Sequence, residues 1–264
     1  MIMQSNSIEV RVDGPVATVT INRQQKRNAL TRAMIEDLRV ALSDVHQERR
    51  VRVMVLTGAG AAFCAGRDVE EMAAGGPDPA ADMVRWGEEA EQLRDLVLEM
   101  LQLPKPIIAA VNGPAVGAGA GLVLAADIAI ASPEATFGFP EPRLGVVAGV
   151  ESPLLAFRLG AGPASRLLLS SQQIPADEAL RIGVYHETVD TPLLWARAVE
   201  LAKECAAGAP ESVQLTKRLL LETVGEQLVT QLSSGAIATA TARTTEAAQQ
   251  GLEAFLEKRE PEWP

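Results

Sequence analysis

Cysteine and histidine are scarce in this chain, with two of each among 264 residues. The two cysteines do not have the spacing of a paired-thiol or zinc motif, and no cluster of metal-ligand residues is evident. Cys64 lies beside a glycine-rich turn, so a nucleophilic thiol has to be weighed against a small buried side chain. The histidines that would activate it, His46 and His186, are distant along the chain, which favours the buried side chain. A reduced, cytoplasmic protein without a metal site is the simplest expectation.

Positive charge is also in short supply, since 24 Lys and Arg residues face 34 Asp and Glu residues and give a net charge of −10. Such an acidic surface disfavours binding to nucleic acid or to anionic membranes. An anionic substrate would therefore need a local basic patch, for which Lys26, Arg27 and Arg67 are the candidates. The first seven residues lack the basic and then apolar regions of a signal peptide. The uncharged run at 106–126 is interrupted by Asn-Gly-Pro, so it is not expected to span a membrane.

Aromatic residues make up only 3% of the chain, whereas alanine and glycine are abundant, a composition that suits close packing of helices and backbone. A hairpin is predicted around Asp13-Gly14-Pro15, and Thr31 is predicted to cap a helix. Three short apolar runs predict buried strands, at 51–57, 107–111 and 128–131. Helical patterns alternate with these runs, which favours right-handed βαβ units. Strand patterns end at about residue 195. The rest of the chain shows only helical patterns, at 194–205, 212–223 and 226–249. The sequence therefore predicts an α/β core over 1–195 and a helical region over 196–264.

Two turns rich in glycine and alanine, at 63–68 and 112–121, each follow a predicted strand and lead into a predicted helix. Small residues let a ligand approach the backbone, and the start of a helix leaves N–H groups free. Two such groups aimed at one point would form an oxyanion hole. Glu141 follows in Phe-Gly-Phe-Pro-Glu, among apolar neighbours that would raise its pKa. A dinucleotide site is rejected, because Leu122 occupies the position of the third glycine that such a site needs.

Several motifs, in order along nearly the whole chain, resemble the crotonase superfamily of enoyl-CoA hydratases and isomerases. They are VATVTINR at 16–23 with NAL at 28–30, FCAGRD at 63–68, VNG at 111–113, AAD at 125–127, FGFPE at 137–141 and AFLEKR at 254–259. The resemblance implies a spiral of strand and helix turns that binds an acyl-CoA thioester, with no cofactor beyond the CoA of the substrate. It also implies that the C-terminal helices form a trimer interface, and that trimers often pair into hexamers. Apolar contacts there, or else packing within one chain, would come from Leu215, Leu219, Leu228 and Leu232.

The resemblance places the two oxyanion donors at the backbone N–H groups of Ala65 and Ala118, and a general acid/base at Glu141. Two-glutamate hydratases carry their other glutamate where this chain has Gly121, so a strict two-carboxylate mechanism is not expected. Glu151 could supply a second carboxylate from a predicted helix start. The alternative is that Glu151 is there because the helix dipole favours an acidic residue.

The segment from Pro140 to Gly145, with Ser152-Pro153, resembles a branch of hydratases that act on methylglutaconyl-CoA-like or geranyl-type substrates. Arg143 could pair with Glu141 or with a carboxylate of the substrate.

The resemblance also implies contacts with CoA, at Lys26, Arg27, Arg67, Asp68, Phe255 and Lys258. The segment of Arg67 and Asp68 would lie against the adenine, partly through its backbone. Glu70 stands where some relatives place a lysine for the CoA phosphate, and the basic pair just before Asn28 could compensate. Phe255 and Lys258 match residues that can reach the CoA of a neighbouring subunit, although an amphipathic terminal helix with a solvated lysine would look the same.

The first functional expectation is reversible hydration of a 2-enoyl-CoA, with Glu141 as the acid/base. The second is another reaction at the same site, either double-bond isomerisation through Glu141 or Glu151, or C–C cleavage of a β-dicarbonyl. A third, of another class, is a catalytically silent CoA-ester-binding protein, which the missing glutamate at Gly121 would permit.

Overall fold

The computed structural model describes residues 7–76, 78–225 and 227–263. Most of the segment examined for a signal peptide, and Glu226, where a helix was predicted to begin, lie outside the described residues. The strands of the described part are β1 Ile8–Asp13, β2 Val16–Ile21, β3 Val53–Gly58, β4 Ile107–Val111, β5 Ala115–Val116, β6 Ile128–Ala131, β7 Thr136–Gly138, β8 Gln173–Pro175 and β9 Glu187–Thr188. Its helices are α1 Arg32–Gln47, α2 Val69–Ala73, α3 Pro79–Gln102, α4 Ala118–Ala125, α5 Glu151–Leu159, α6 Ala161–Ser170, α7 Ala176–Arg181, α8 Leu194–Ala207, α9 Pro210–Val224, α10 Leu228–Ala242 and α11 Glu246–Glu257.

Six strands form the main sheet, in the order β1-β2-β3-β4-β6-β9. The first two are an antiparallel hairpin, as predicted, and every later pair is parallel. A second sheet has the order β5-β7-β8, with β5 and β7 parallel. Because parallel neighbours need a crossover connection, helices alternate with the strands. The predicted α/β class is therefore confirmed.

Both faces of the main sheet are covered, because successive side chains of its strands point to opposite sides. In β3, Met54 and Leu56 join the larger core beneath α1, α3 and α4, whereas Val53 and Val55 face the other way. On that second face α8 supplies Leu194 and two alanines. A parallel sheet buried on both faces explains the continuous apolar runs in its strands.

The uncharged run at 106–126 divides into β4, a turn, β5 and the buried helix α4. None of the helices in the described part of the chain is long and apolar enough to cross a membrane.

The C-terminal region is helical, as predicted, but it differs from the expectation in two ways. The helix predicted over 226–249 is two helices, because the chain breaks after α10 and the Thr245 side chain caps α11 by accepting from Ala248 N at 3.1 Å. Two of the leucines proposed for a subunit interface, Leu228 and Leu232, are buried within the chain. The division at residue 195 stays a prediction, although α8 packs on the main sheet.

Helix α10 packs against the turn that leads into α5 through backbone contact, at Gly235 in the helix and Gly149 in the turn. A Cβ built on Gly235 would lie 2.0 Å from the carbonyl oxygen of Gly149, and one on Gly149 would lie 2.1 Å from the oxygen of Gly235. No side chain fits at that distance, so the helix and the turn can approach this closely only with glycine at both positions.

We expect Gly235→Ala to lower the free energy of unfolding by roughly 1–3 kcal/mol, because the added methyl group forces the helix and the turn apart. Gly87→Ala in α3 is the matched control, since a Cβ there meets nothing within 4 Å. Alanine in an open helical position should be neutral or should stabilise by up to about 1 kcal/mol. Urea unfolding followed by circular dichroism measures both, and equal stabilities of the two variants would contradict the contact.

Candidate active site

The two glycine-rich turns predicted from the sequence lie side by side. Cys64 N donates to Pro114 O at 3.1 Å, and Val116 N donates to Cys64 O at 3.0 Å. On its other side the first turn is held by Leu30, which donates to Gly66 O and accepts from Asp68 N, both at 2.8 Å. The turn at 63–68 is thus fixed between two backbone segments, and its position does not depend on a ligand.

Two asparagines that sequence reasoning quoted only as part of motifs hold the start of this turn. Asn28 Nδ2 donates to Ala59 O at 2.9 Å and to Ala62 O at 2.8 Å. Asn112 Oδ1 accepts from Gly58 N at 3.1 Å, and its Nδ2 donates to Gly60 O at 2.9 Å. Side-chain amides here replace the backbone partners that a turn lacks. The loop of small residues at 58–62, which follows a predicted strand and accepts from both side chains, is the sequence signal from which this role could have been found.

The structure corrects one of the two expected oxyanion donors. Ala65 N already donates to Arg27 O at 3.0 Å, so this N–H is not free for a ligand. In the same turn, Arg67 N has no acceptor among the described residues. A Cβ on the intervening Gly66 would lie 3.6 Å from Ala118 N, which places the turn beside the second expected donor. Ala118 is the first residue of α4, where a backbone N–H has no partner within the helix.

Glu141 begins a 3-10 turn, Glu141–Leu144, that follows β7. Its carboxylate lies against Gly117, where a Cβ would be 2.4 Å from Oε1, and Oε2 is buried without a hydrogen-bond partner. Gly117 also has a φ of 54°, which favours glycine. Burial, and then the negative charge of Glu151, raise the pKa of Glu141 to about 8. The raised pKa favours the protonated form of Glu141 near neutral pH, and among the described residues no group forms a hydrogen bond with Oε2.

Glu151, the first residue of α5, is 5% exposed. Burial raises its pKa to about 7, while its own backbone N–H and the charge of Arg67 oppose the rise. A Cβ on Gly121 would lie 2.9 Å from Glu151 Cγ. The side chain of Glu151 therefore packs where a side chain at position 121 would begin. This explains why glycine stands at the position that two-glutamate hydratases fill.

Both turns and both glutamates line one cavity of approximately 410 Å³. Its apolar wall consists of Val69, Met72, Leu93, Leu144, Val146 and Val147. The end of the chain contributes Phe255, Arg259, Glu260 and Pro261. A mostly apolar cavity with a few convergent polar groups is typical of a site for a small molecule.

Three of the residues expected to contact CoA have their side chains engaged elsewhere. Lys26 Nζ pairs with Glu70 at 2.6 Å, so Lys26 does not compensate for this glutamate but is neutralised by it. The Asp68 carboxylate pairs with Arg23 at 2.5 Å and caps α2. The Arg67 side chain is 9% exposed and pairs with Glu89, so the guanidinium is not at the surface.

The remaining expected residues lie at or near the cavity. Arg27 and Phe255 line it, and Phe255 does so in its own chain, whereas Lys258 ends α11 next to the lining segment. Arg143, exposed and also in the lining, makes no ion pair with Glu141 or with any other described residue. Arg27 and Arg143 give the cavity the local positive charge that an acidic chain needs for an anionic ligand, whereas Arg259 pairs with Glu257 at 2.6 Å.

Cys64 does not have the properties of a nucleophile. It is fully buried, and burial raises its pKa to about 12, so the reactive thiolate is not populated near neutral pH. This agrees with the expectation of a small buried side chain. Among the described residues no group of three or more His, Cys, Asp and Glu side chains is arranged to hold a metal ion.

Comparison with known proteins identifies the fold and the family. The family described as enoyl-CoA hydratase/isomerase matches residues 11–264. A short-chain-enoyl-CoA hydratase of Clostridium acetobutylicum is 35% identical over 263 residues, which cover 98% of each chain. The chain belongs to the enoyl-CoA hydratase/isomerase family. It is therefore an enzyme of that family, and the predicted membership of the crotonase superfamily is confirmed.

Two further relatives illustrate the range of this family. A 1,2-epoxyphenylacetyl-CoA isomerase of Escherichia coli is 33% identical over 254 residues, or 96% of each chain. The crystal structure of an enoyl-CoA hydratase from Mycobacterium avium matches with a TM-score of 0.87 at 30% identity, covering 99% of this chain and 100% of that one. The crotonase fold is thus confirmed, whereas the methylglutaconyl-CoA branch stays a prediction.

The raised pKa values of the two glutamates predict how stability depends on pH. Both exceed the ordinary value of 4.5, so between about pH 4.5 and 8 the unfolded chain loses protons that the folded chain keeps. These two groups therefore make stability fall as pH rises through that window. In Glu151→Gln the fall should be smaller, so the stability of the variant relative to the wild type should increase from pH 5 to pH 8.

Urea unfolding at pH 5, 6.5 and 8 checks this expectation. Glu253→Gln on α11 is the control, because the exposed Glu253 side chain makes no ion pair among the described residues, and the stability of this variant relative to the wild type should stay the same at the three pH values. If the free energies of unfolding of Glu151→Gln and the wild type differ by the same amount at all three pH values, Glu151 is not buried in its protonated form.

Proposed function

We propose that this enzyme adds water reversibly to a 2-enoyl-CoA thioester. The thioester oxygen would accept hydrogen bonds from the backbone N–H groups of Arg67 and Ala118. These donors stabilise the negative charge that develops on the oxygen when the β-carbon is attacked. The start of α4 adds the positive end of its helix dipole at the same point.

The observation that carries the proposal is the buried pair of glutamates beside these donors. Burial, and then the charge of Glu151, raise the pKa of Glu141, whereas the charge of Arg67 opposes the rise that burial causes in the pKa of Glu151, so the pair would hold its proton on Glu141. Ionised Glu151 is then the base that removes a proton from water as the oxygen bonds to the β-carbon. Glu141 is the acid that delivers its proton to the α-carbon. Two carboxyl groups with separated pKa values are suited to such a division of roles.

The CoA portion would lie at the mouth of the cavity. Arg27 and Arg143, which make no ion pairs among the described residues, are available there for phosphate groups, and Phe255 offers an apolar contact. We propose no cofactor beyond the CoA of the substrate, because the two donors and two acids already supply the groups that hydration needs.

We expect Glu141→Gln to lower kcat for hydration of crotonyl-CoA by about 10²–10⁴-fold, because the amide cannot deliver a proton. Binding of the CoA ester should persist, since glutamine keeps the size of the side chain. Loss of the enoyl-thioester absorbance measures turnover, and titration calorimetry measures binding.

Glu253→Gln on the exposed face of α11 is the control and should match the wild type. Unchanged turnover in Glu141→Gln would overturn the role of Glu141 as an acid. Absence of turnover in the wild type, with the ester still bound, would overturn hydration of this unbranched substrate.

A second candidate function is double-bond isomerisation, which the same pair of acids could perform by moving a proton between the α- and γ-carbons. The description of the matching family, which names both hydratases and isomerases of enoyl-CoA, supports this candidate. The products separate the two reactions, because hydration yields a 3-hydroxyacyl-CoA and isomerisation yields a 3-enoyl-CoA.

We also propose that the chain forms a homotrimer, alone or paired into a hexamer. Leu215, Leu219 and Leu220 on α9 are 56%, 60% and 63% exposed, and such a row of exposed leucines on one helix is unusual for a monomer. Light scattering should give three or six times the 28.0 kDa mass of the chain. Leu219→Asp should shift the mass toward the monomer, and a monomeric wild type would contradict the proposal.

A further inference from the structure

A buried cluster of charges lies directly behind the active-site cavity. Glu89 on α3 is 1% exposed, and its Oε2 accepts from Arg67 Nη2 at 2.7 Å and from Arg243 Nη1 at 3.1 Å. Arg85 Nε is 3.7 Å from the other oxygen of Glu89, and Arg85 also pairs with Asp82 at 2.9 Å. Three cations therefore share two anions, which leaves the cluster with one surplus positive charge.

Arg67 is the member of the cluster that reaches the cavity. It belongs to the cavity lining, its side chain is 9% exposed, and its charge acts on Glu151 across the same space. Its Nε is buried without an acceptor, so the guanidinium has donor capacity that the described residues leave unused. An unpaired buried donor is costly, and a guanidinium presents its donors in a fixed fork that suits a carboxylate.

The chain's own groups do not neutralise this surplus charge. Arg243 is held by Glu89, by the carbonyl of Met72 and by the ring of Trp86, whose centroid is 5.0 Å from its guanidinium carbon. The carboxylate on the other side of the cavity, Glu151, forms no ion pair with Arg67 among the described residues. A ligand that enters the cavity therefore meets the buried Arg67 guanidinium, whose Nε still lacks an acceptor.

We infer that Arg67 binds a carboxylate on the acyl group of the substrate, so that the preferred substrates are thioesters of CoA with short dicarboxylic acids. This inference rests on the proposed function, in which the backbone N–H of the same residue binds the thioester oxygen. One arginine then contacts both ends of the acyl group, so the carboxylate lies only a few bonds from the thioester carbon. A monocarboxylic acyl group of equal length leaves the Nε of this guanidinium without an acceptor, while its Nη2 stays paired with Glu89.

Equilibrium binding of two saturated esters tests the inference without relying on turnover. Succinyl-CoA and butyryl-CoA both have four-carbon acyl groups. The acyl group of succinyl-CoA ends in a carboxylate, whereas that of butyryl-CoA ends in a methyl group. We expect calorimetry to show that the wild type binds succinyl-CoA at least about tenfold more tightly, because a charge-assisted bidentate pair forms only with the carboxylate.

The variant Arg67→Met removes the guanidinium from the cavity lining, and Glu89 keeps Arg243 and Arg85 as its partners. It should lose the preference for succinyl-CoA. Arg67→Lys is a second variant in case the first does not fold, and it should keep only part of the preference, since a lysine cannot form the bidentate pair. Arg143→Met at the mouth of the cavity is the matched control, and this substitution should weaken the binding of both esters by the same factor.

Equal binding of the two esters by the wild type would overturn the inference, as would a preference that persists in the folded Arg67→Met variant. Failure to bind either ester would overturn the inference together with the proposed function. A preference for succinyl-CoA in a protein that does not hydrate crotonyl-CoA would support the inference and would count against hydration of that substrate.

Discussion

The active site depends on the short parallel bridge through which Cys64 joins the two turns. Its N–H and carbonyl bond to the segment Pro114–Val116, and this contact brings the open N–H groups of Arg67 and Ala118 to one wall of the cavity. The approach is so close that a Cβ on Gly119 would lie 2.2 Å from Cys64 O. Backbone packing at this distance thus requires the many small residues of these turns. The N–H groups of Arg67 and Ala118, which this packing leaves without acceptors among the described residues, are the ones available to a ligand.

Unlike the closely packed turns, the buried pair of glutamates destabilises the folded chain. Burying Glu141 and Glu151 costs stability at neutral pH, because each would be ionised in water. A main sheet covered on both faces and a large apolar core offset this cost. Groups whose pKa values are displaced by burial tend to occur at functional sites, and here they face the cavity rather than an ion-pair partner.

Much of the fold could be predicted from local sequence, because its signals are local. The bounds of β4 match the apolar run at 107–111, and the Thr31 side chain caps α1 by accepting from Met34 N. The helix predicted over 226–249 failed because the apolar pattern continues across the break between α10 and α11, where Thr245 caps the second helix. At this break Arg243 pairs with Glu89, which is 154 residues away along the chain.

The site was less predictable, because its decisive contacts join residues that are distant in the sequence. A single hydrogen bond from Ala65 N to Arg27 O moves the free donor two residues along the turn, and no local pattern reveals that bond. The contact between Gly121 and Glu151 joins residues that are far apart in sequence. Glu141 was identifiable because its motif is contiguous, whereas the role of the Arg67 side chain depends on α3 and on the segment after α10.

The contact between Gly121 and Glu151 also bears on how active members of a family are recognised. A rule that requires glutamate at position 121 would class this chain as a degenerate relative, although a carboxylate from α5 packs against that position. The two positions compete for the same space, so a side chain at position 121 would require the Glu151 side chain to move. Counting the acids that line the cavity, rather than the acid at one position of the sequence, finds two of them in this chain.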